Sequence, residues 1–135
     1  MQGPAARARL PAMKRLFFPF AALMGAPAFA DPAQVEAVTL TQRADAWTVS
    51  VTISHGDTGL DDYADGWRVE TPGGEILGTR VLHHPHVEEQ PFTRSLGGLS
   101  LPDDVTEIVV RTRTTVTGWA DDVSAPVQVP VPADG

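Results

Sequence analysis

The chain has 135 residues, a length that suits one small domain, and its 10 lysines and arginines stand against 17 aspartates and glutamates. Every acidic residue lies beyond Ala30, so the part from Asp31 onwards holds six arginines, no lysine and a formal charge of −11. This balance excludes a nucleic-acid partner, because phosphate neutralisation needs clustered cations. The absence of lysine and cysteine from that part also excludes catalysis by a Schiff base or a thiolate.

The first 30 residues have the pattern of a secretory signal peptide. Two basic residues, Lys14 and Arg15, precede an apolar stretch over residues 16–24, and small side chains follow at Ala28 and Ala30. The stretch is shorter than the roughly 20 residues of a membrane-spanning helix. We therefore expect cleavage after residue 30, a periplasmic or secreted protein, and no membrane insertion of the cleaved chain.

This assignment divides the chain into a signal peptide, residues 1–30, and a single β-sandwich domain, residues 31–135. A second methionine, Met13, is the predicted true start, and the alternative is that residues 1–12 extend the basic segment of the signal peptide. Because the chain contains no cysteine, we expect neither a disulfide nor a lipid attached to a cysteine.

Strict alternation marks the clearest strand, residues 46–55, where apolar residues from Trp47 to Ile53 alternate with threonines and serines. A run rich in β-forming residues, 35–42, precedes it. The intervening Ala44-Asp45 pair predicts the turn of a hairpin between these two strands.

Further strands are predicted on both sides of a turn at Pro72-Gly73-Gly74. They comprise a short strand with Trp67 and Val69, an antiparallel return over residues 75–83, and strands over residues 87–96 and 105–116.

The run over residues 105–116 is the longest of these, and its alternation places Ile108, Val110 and Val116 on one face. Arg111 and Arg113 fall on the opposite face.

The closing segment, residues 123–131, alternates valines with prolines at Pro126 and Pro130. Proline donates no backbone hydrogen bond, and the even spacing directs both missing donors to the same side. The pattern therefore predicts a strand at a sheet edge, with the prolines facing outward.

Together these patterns predict an all-β protein, an antiparallel immunoglobulin-like β-sandwich of about seven strands. The order of a Trp47 strand, a Trp67 strand and a Leu96–Pro102 corner before the long strand resembles fibronectin type III and immunoglobulin-like domains. The stretches DGWRVETPGGEILGTRVL and HPHVEEQPFTRSL, with Gly118-Trp119, are similar to a family of small exported bacterial proteins without an assigned function. Neither resemblance implies a reaction.

Histidines supply the first candidate site. In an extended segment, His84 and His86 project to the same side, so the pair could offer two nitrogens to a copper(II) or zinc ion. A third ligand would come from His55, Glu88 or the acidic loop after residue 55. The alternative is that these histidines make hydrogen bonds that pack a loop against the end of the sandwich.

The acidic loop that contains Asp57, Asp61, Asp62 and Asp65 is a second candidate, since its carboxylates could bind calcium. A solvated acidic turn explains the same residues, and their spacing does not match a helix-loop-helix calcium site.

Aromatic residues beside turns form the third candidate. Trp119 and Tyr63 lie next to glycine or acidic turn residues, and with His83 they are predicted to contact a partner. Trp47 and Trp67 lie on alternating strands and are assigned to the core instead.

No sequence pattern of a catalytic triad or of paired catalytic carboxylates is found, so the protein is predicted to be non-enzymatic. The favoured hypothesis is a periplasmic interaction module that uses loops at one end of the sandwich to bind an unknown protein or envelope partner. The alternative is a periplasmic copper- or zinc-binding protein. No cofactor is expected under the favoured hypothesis, and copper or zinc is expected only under this alternative.

Overall fold

A computed structural model describes residues 31–131, which form eight β-strands in two antiparallel sheets. The strands are β1 (Gln34–Arg43), β2 (Ala46–Ser54), β3 (Ala64–Glu70), β4 (Ile76–Val81), β5 (Phe92–Leu99), β6 (Glu107–Thr114), β7 (Gly118–Trp119) and β8 (Val127–Gln128). The described residues contain no helix, so the predicted all-β sandwich class is confirmed. The predicted signal peptide and Met13 lie outside the described residues.

The first sheet has three strands in the order β1-β2-β5, and the second has five. In the second sheet β4, β3 and β6 lie side by side, and both β7 and β8 pair with the far side of β6. All these pairs are antiparallel.

The core lies between the two sheets. On β2 the four apolar residues from Trp47 to Ile53 are buried, and the hydroxyl residues between them lie on the outer face, as the alternation predicts. Trp67 and Val110 of the second sheet are completely buried in the same cluster. Burial of such side chains contributes about 1.5–3 kcal/mol each to folding, which allows a domain without disulfides.

Two predictions near the middle of the chain are wrong in detail. The strand predicted over residues 87–96 begins only at Phe92, because residues 86–91 form a loop in which the Gln90 side chain donates to the carbonyl of His86. Val116 was expected on the inner face of β6, but the strand ends at Thr114 and Val116 is 52% exposed in the following turn.

The closing segment forms a strand only at Val127–Gln128, which lies at the edge of the second sheet with β6 as its partner. Val127 and Val129 pack against the core, whereas Val131 is exposed. Pro126 and Pro130 are exposed on this edge, in agreement with the predicted edge position.

The β1–β2 hairpin turns tightly at Ala44-Asp45, between the paired residues Arg43 and Ala46. Ala44 has a φ of 54°, the left-handed region in which a β-carbon costs about 1–2 kcal/mol.

We predict that Ala44→Gly raises the free energy of unfolding by about 1 kcal/mol, because glycine adopts this φ without the steric penalty. The matched control is Ala46→Gly, two residues later in β2, which should lower the free energy of unfolding by about 0.5–1 kcal/mol. Urea unfolding of the two variants measures both effects. Destabilisation by both substitutions would contradict the strained turn.

Candidate functional site

The outer face of the five-stranded sheet carries a buried carboxylate between two arginines. Glu70 is only 1% exposed, and its carboxylate accepts hydrogen bonds from Arg68 Nε at 2.6 Å and Arg111 Nε at 2.8 Å. Arg68 on β3 and Arg111 on β6 are direct cross-strand neighbours, a placement that would be repulsive without the carboxylate.

This arrangement keeps Glu70 ionised. The hydrogen bond from Arg111 lowers the pKa of Glu70, burial acts in the opposite direction, and the hydrogen bond from Arg68 lowers it further. The pKa of Arg111 is raised, mainly by the same hydrogen bond. Glu70 and Arg111 therefore stay charged at neutral pH.

The two arginines also hold the segment that carries Trp119. Arg111 NH1 donates to the carbonyl oxygens of Ala120 at 2.6 Å and Asp121 at 3.0 Å. The guanidinium of Arg68 lies over the Trp119 ring, 4.2 Å from its centroid, in a cation–π contact. Trp119 is thereby held against the outer face of the sheet in a half-buried position.

We predict that Glu70→Gln lowers the free energy of unfolding by about 2 kcal/mol, since it removes charged hydrogen bonds and leaves two neighbouring arginines unpaired. The substitution should also make the Trp119 side chain more mobile, and its indole N–H resonance should then broaden or shift in NMR spectra. Glu75→Gln, in the exposed turn after β3, is the control and should change stability by less than about 0.5 kcal/mol. Equal stability of the two variants would show that Glu70 does not organise this face.

A cavity of about 360 Å³ lies next to Trp119 at one end of the same sheet. Its lining includes Tyr63, His83 and Trp119, the three residues that the sequence singled out for partner contact. Gly66 also lines it and lies in register between Val81 of β4 and Arg113 of β6. Because Gly66 has no side chain, the sheet surface stays open at this point.

The cavity is polar as well as aromatic. Arg113 forms an ion pair with Asp65, which also lines the cavity. Asp65 Oδ1 is buried without a hydrogen-bond partner among residues 31–131. Arg80 also borders the cavity, but its register partner is the core residue Trp67, so its side chain is directed to the opposite face of the sheet. Buried polar atoms of this kind require an explanation, because most are satisfied in folded proteins.

The histidines lie in a different part of the structure, organised by the buried carboxylate of Asp57. Asp57 Oδ1 accepts from the backbone N–H of Ala64 at 3.0 Å and lies 2.6 Å from His55 Nδ1. Asp57 Oδ2 accepts from the backbone N–H of His86 at 2.8 Å. His55 Nε2 lies 3.1 Å from the carbonyl oxygen of Asp31. Asp57 therefore ties the loop after β2 to the start of β3 and to the loop before β5.

His86 packs inside that second loop. Its ring stacks on Phe92 at a centroid distance of 3.8 Å, and its Nε2 lies 2.9 Å from Arg94 NH2. Since arginine only donates, Nε2 is the acceptor and the ring proton is on Nδ1, which is buried without a partner among the described residues. Burial lowers the pKa of His86, and the charges of Arg94 and His84 lower it further.

The predicted metal ligands are not brought together. The rings of His84 and His86 lie 5.1 Å apart, but within residues 31–131 no three histidine, aspartate or glutamate side chains are placed to hold a metal ion. His86 Nε2 contacts Arg94, and His55 contacts Asp57. Copper or zinc binding stays a prediction, and in this conformation it would require these contacts to break.

We predict that stability falls as the pH drops below about 6.5, because the unfolded chain then binds a proton that the folded His86 resists. The melting temperature should therefore fall more in the native protein than in His86→Gln between about pH 7.5 and about pH 5.5. The control His83→Gln, at an exposed position, should keep the native profile. A His86→Gln profile as steep as the native one would contradict the lowered pKa.

Comparison with known proteins gives a partial match. A protein of Halomicrobium mukohataei named "Putative lipoprotein" is 46% identical to this chain over 70 residues, which are 52% of this chain and 34% of the relative. The match thus spans about a third of the relative's length. No family model and no solved structure matches the chain. Residues 31–131 contain no helix of the length and apolar character needed to cross a membrane.

Proposed function

We propose that the protein is an exported, non-enzymatic interaction module that binds a protein or envelope partner at the cavity beside Trp119. One observation carries this proposal: Tyr63, His83 and Trp119, which are distant in sequence, line a single cavity together with Arg113. Aromatic and arginine side chains are the residues most enriched at the centres of binding interfaces.

The sandwich supports the same function. A β1-β2-β5 sheet packed on a β4-β3-β6 sheet is the strand arrangement expected of an immunoglobulin-like or fibronectin type III-like module. Such modules use a rigid framework to present loops at one end, where the cavity lies. Fold likeness alone gives no function, so the proposal depends on the cavity.

Export is supported by the predicted signal peptide and by the name of the relative, since a lipoprotein is a protein of the cell envelope. The non-enzymatic assignment is supported by the cavity's residues. Its lining contains no serine, no glutamate and one aspartate, Asp65, which is paired with Arg113. Such a set offers neither an activated nucleophile nor two carboxylates across a substrate.

The test is site-specific photocrosslinking in cells that export the protein. A photoreactive p-benzoylphenylalanine at Thr79, exposed at the lip of the cavity, should capture the partner as a discrete adduct. The same group at Thr39, exposed on β1 of the other sheet, is the matched control and should give none. Trp119→Ala should reduce the Thr79 adduct about tenfold or more, as expected for a central aromatic contact. Absence of a Thr79 adduct, or identical adducts from both positions, would refute the proposal.

A further inference from the structure

We infer that the partner is an extended polypeptide strand that adds to the free edge of β4 and places an acidic side chain beside Arg80. The inference rests on the proposed function, because Thr79 and Val81 of this edge also line the cavity beside Trp119. Two independent features carry it: the open backbone edge of β4, and the arginine that β4 directs to the inner side of the sandwich.

The backbone of β4 is open on one side. β4 is the last strand of its sheet, with β3 as its only hydrogen-bonded neighbour among residues 31–131. On that side the N–H of Leu82 donates to the carbonyl oxygen of Asp65 at 3.0 Å. Hydrogen-bonded and non-hydrogen-bonded residues alternate along an antiparallel pair, so Arg80 bonds to β3. Thr79 and Val81 therefore direct their N–H and C=O groups away from β3, where a further strand can bind them.

The side chains of this edge suit a partly apolar strand. Ile76 and Val81 are 53% and 51% exposed, and no other strand within residues 31–131 carries an exposed large apolar side chain. At the other edge of this sheet, Pro126 and Pro130 flank β8 and cannot donate to a neighbouring strand. β4 contains neither proline nor lysine, and its one charged residue is Arg80. The edge is therefore open to pairing, and Arg80 selects the strand that pairs.

Arg80 lies on the inner side of this edge. It is the register partner of the completely buried Trp67, so its side chain leaves β4 on the face opposite to the cavity. Nearby, at Gly78, the inner face of β4 packs closely against Leu96 and Leu99 of β5. The half-buried Arg80 therefore reaches solvent along the open side of the sandwich, between β4 and β5.

This open side is positive in a strongly acidic domain. Arg80 Nε is buried without a hydrogen-bond partner among residues 31–131, and Arg80 forms no ion pair within that range. Arg94 of the edge strand β5 is the register partner of the buried Val51, so it also points inward, and its guanidinium lies 3.6 Å from Glu89. Such a side attracts an acidic segment and disfavours a basic one.

The geometry of strand addition places the acidic residue. Because Thr79 and Val81 form the new hydrogen bonds, the residue opposite Arg80 belongs to a non-hydrogen-bonded pair, the type in which side chains lie closer together. A carboxylate at that position would accept from the guanidinium. An apolar side chain there would leave Arg80 unpaired, and its neighbours on the added strand would pack beside Val81 on the outer face. The expected segment therefore has an acidic residue between two apolar ones.

The experiment titrates the purified protein with the peptide acetyl-Thr-Val-Thr-Val-Glu-Val-Thr-Val-Thr-amide and follows backbone amides by NMR. The amide resonances of Thr79 and Val81 should shift saturably and exchange more slowly with solvent, whereas those of the β1 edge should not change. Replacing the glutamate with glutamine should weaken binding about tenfold or more, the loss expected for a charged hydrogen bond. N-methylation of the two valines beside the glutamate removes the donors of the shared ladder and should abolish binding.

Two arginine variants assign the acidic contact. Arg80→Gln should bind the glutamate peptide about tenfold or more weakly, so that it no longer distinguishes glutamate from glutamine. Arg80→Lys, which keeps the charge, should restore part of the affinity. Arg43→Gln, on the β1 edge, is the matched control, because Arg43 likewise has no ion pair within the described range, and it should bind as the native protein does.

Three results would overturn the inference: equal binding of the glutamate and glutamine peptides, unchanged binding by Arg80→Gln, or no shift at Thr79 and Val81. The same shifts produced by raising the protein concentration alone would also overturn it, because the edge would then pair with a second copy of the chain. A Thr79 crosslink that forms in cells despite such results, and that Trp119→Ala weakens, would leave the interaction module standing with a partner that is not an added strand.

Discussion

The ion pairs of Glu70 are the constraint on which the candidate site depends. Burying a carboxylate between two arginines costs desolvation free energy unless each arginine is held in good geometry. Here each of the two arginines also makes a second contact. Arg111 binds the backbone after β7, and Arg68 lies under the Trp119 ring. The position of Trp119, and with it one wall of the cavity, therefore follows from a carboxylate that does not line the cavity but orients both arginines.

A second buried carboxylate, Asp57, has a different role. Its oxygens accept from two backbone N–H groups and contact His55, so it fixes the loops at the end of the sandwich. The alternative reading of the histidines as loop-packing residues agrees with these contacts. His86 is held neutral against Phe92 and Arg94, which favours a packing role over metal ligation in this conformation.

Much of the framework could be predicted because it depends on local alternation. The period of two in β2 decides which side chains enter the core, and the Ala44-Asp45 turn joins neighbouring strands. The role of Glu70 could not be predicted in this way. Alternation correctly places it on the outer face, yet it is buried there by an arginine 41 residues later in the chain. Strand periodicity cannot report a contact across that separation. The end of β6 was also misplaced, because Val116 continues the pattern beyond the last paired residue, Thr114.

The sheet topology explains why separate parts of the chain meet at the cavity. In antiparallel neighbours the start of one strand lies beside the end of the next, so the start of β3, the ends of β4 and β6, and the start of β7 share one end of the sheet. Tyr63, His83, Arg113 and Trp119 occupy these positions. They lie apart from the core between the sheets, which is filled by the opposite face of the same strands. The residues that line the cavity can therefore change in type without disturbing the packing that holds the two sheets together.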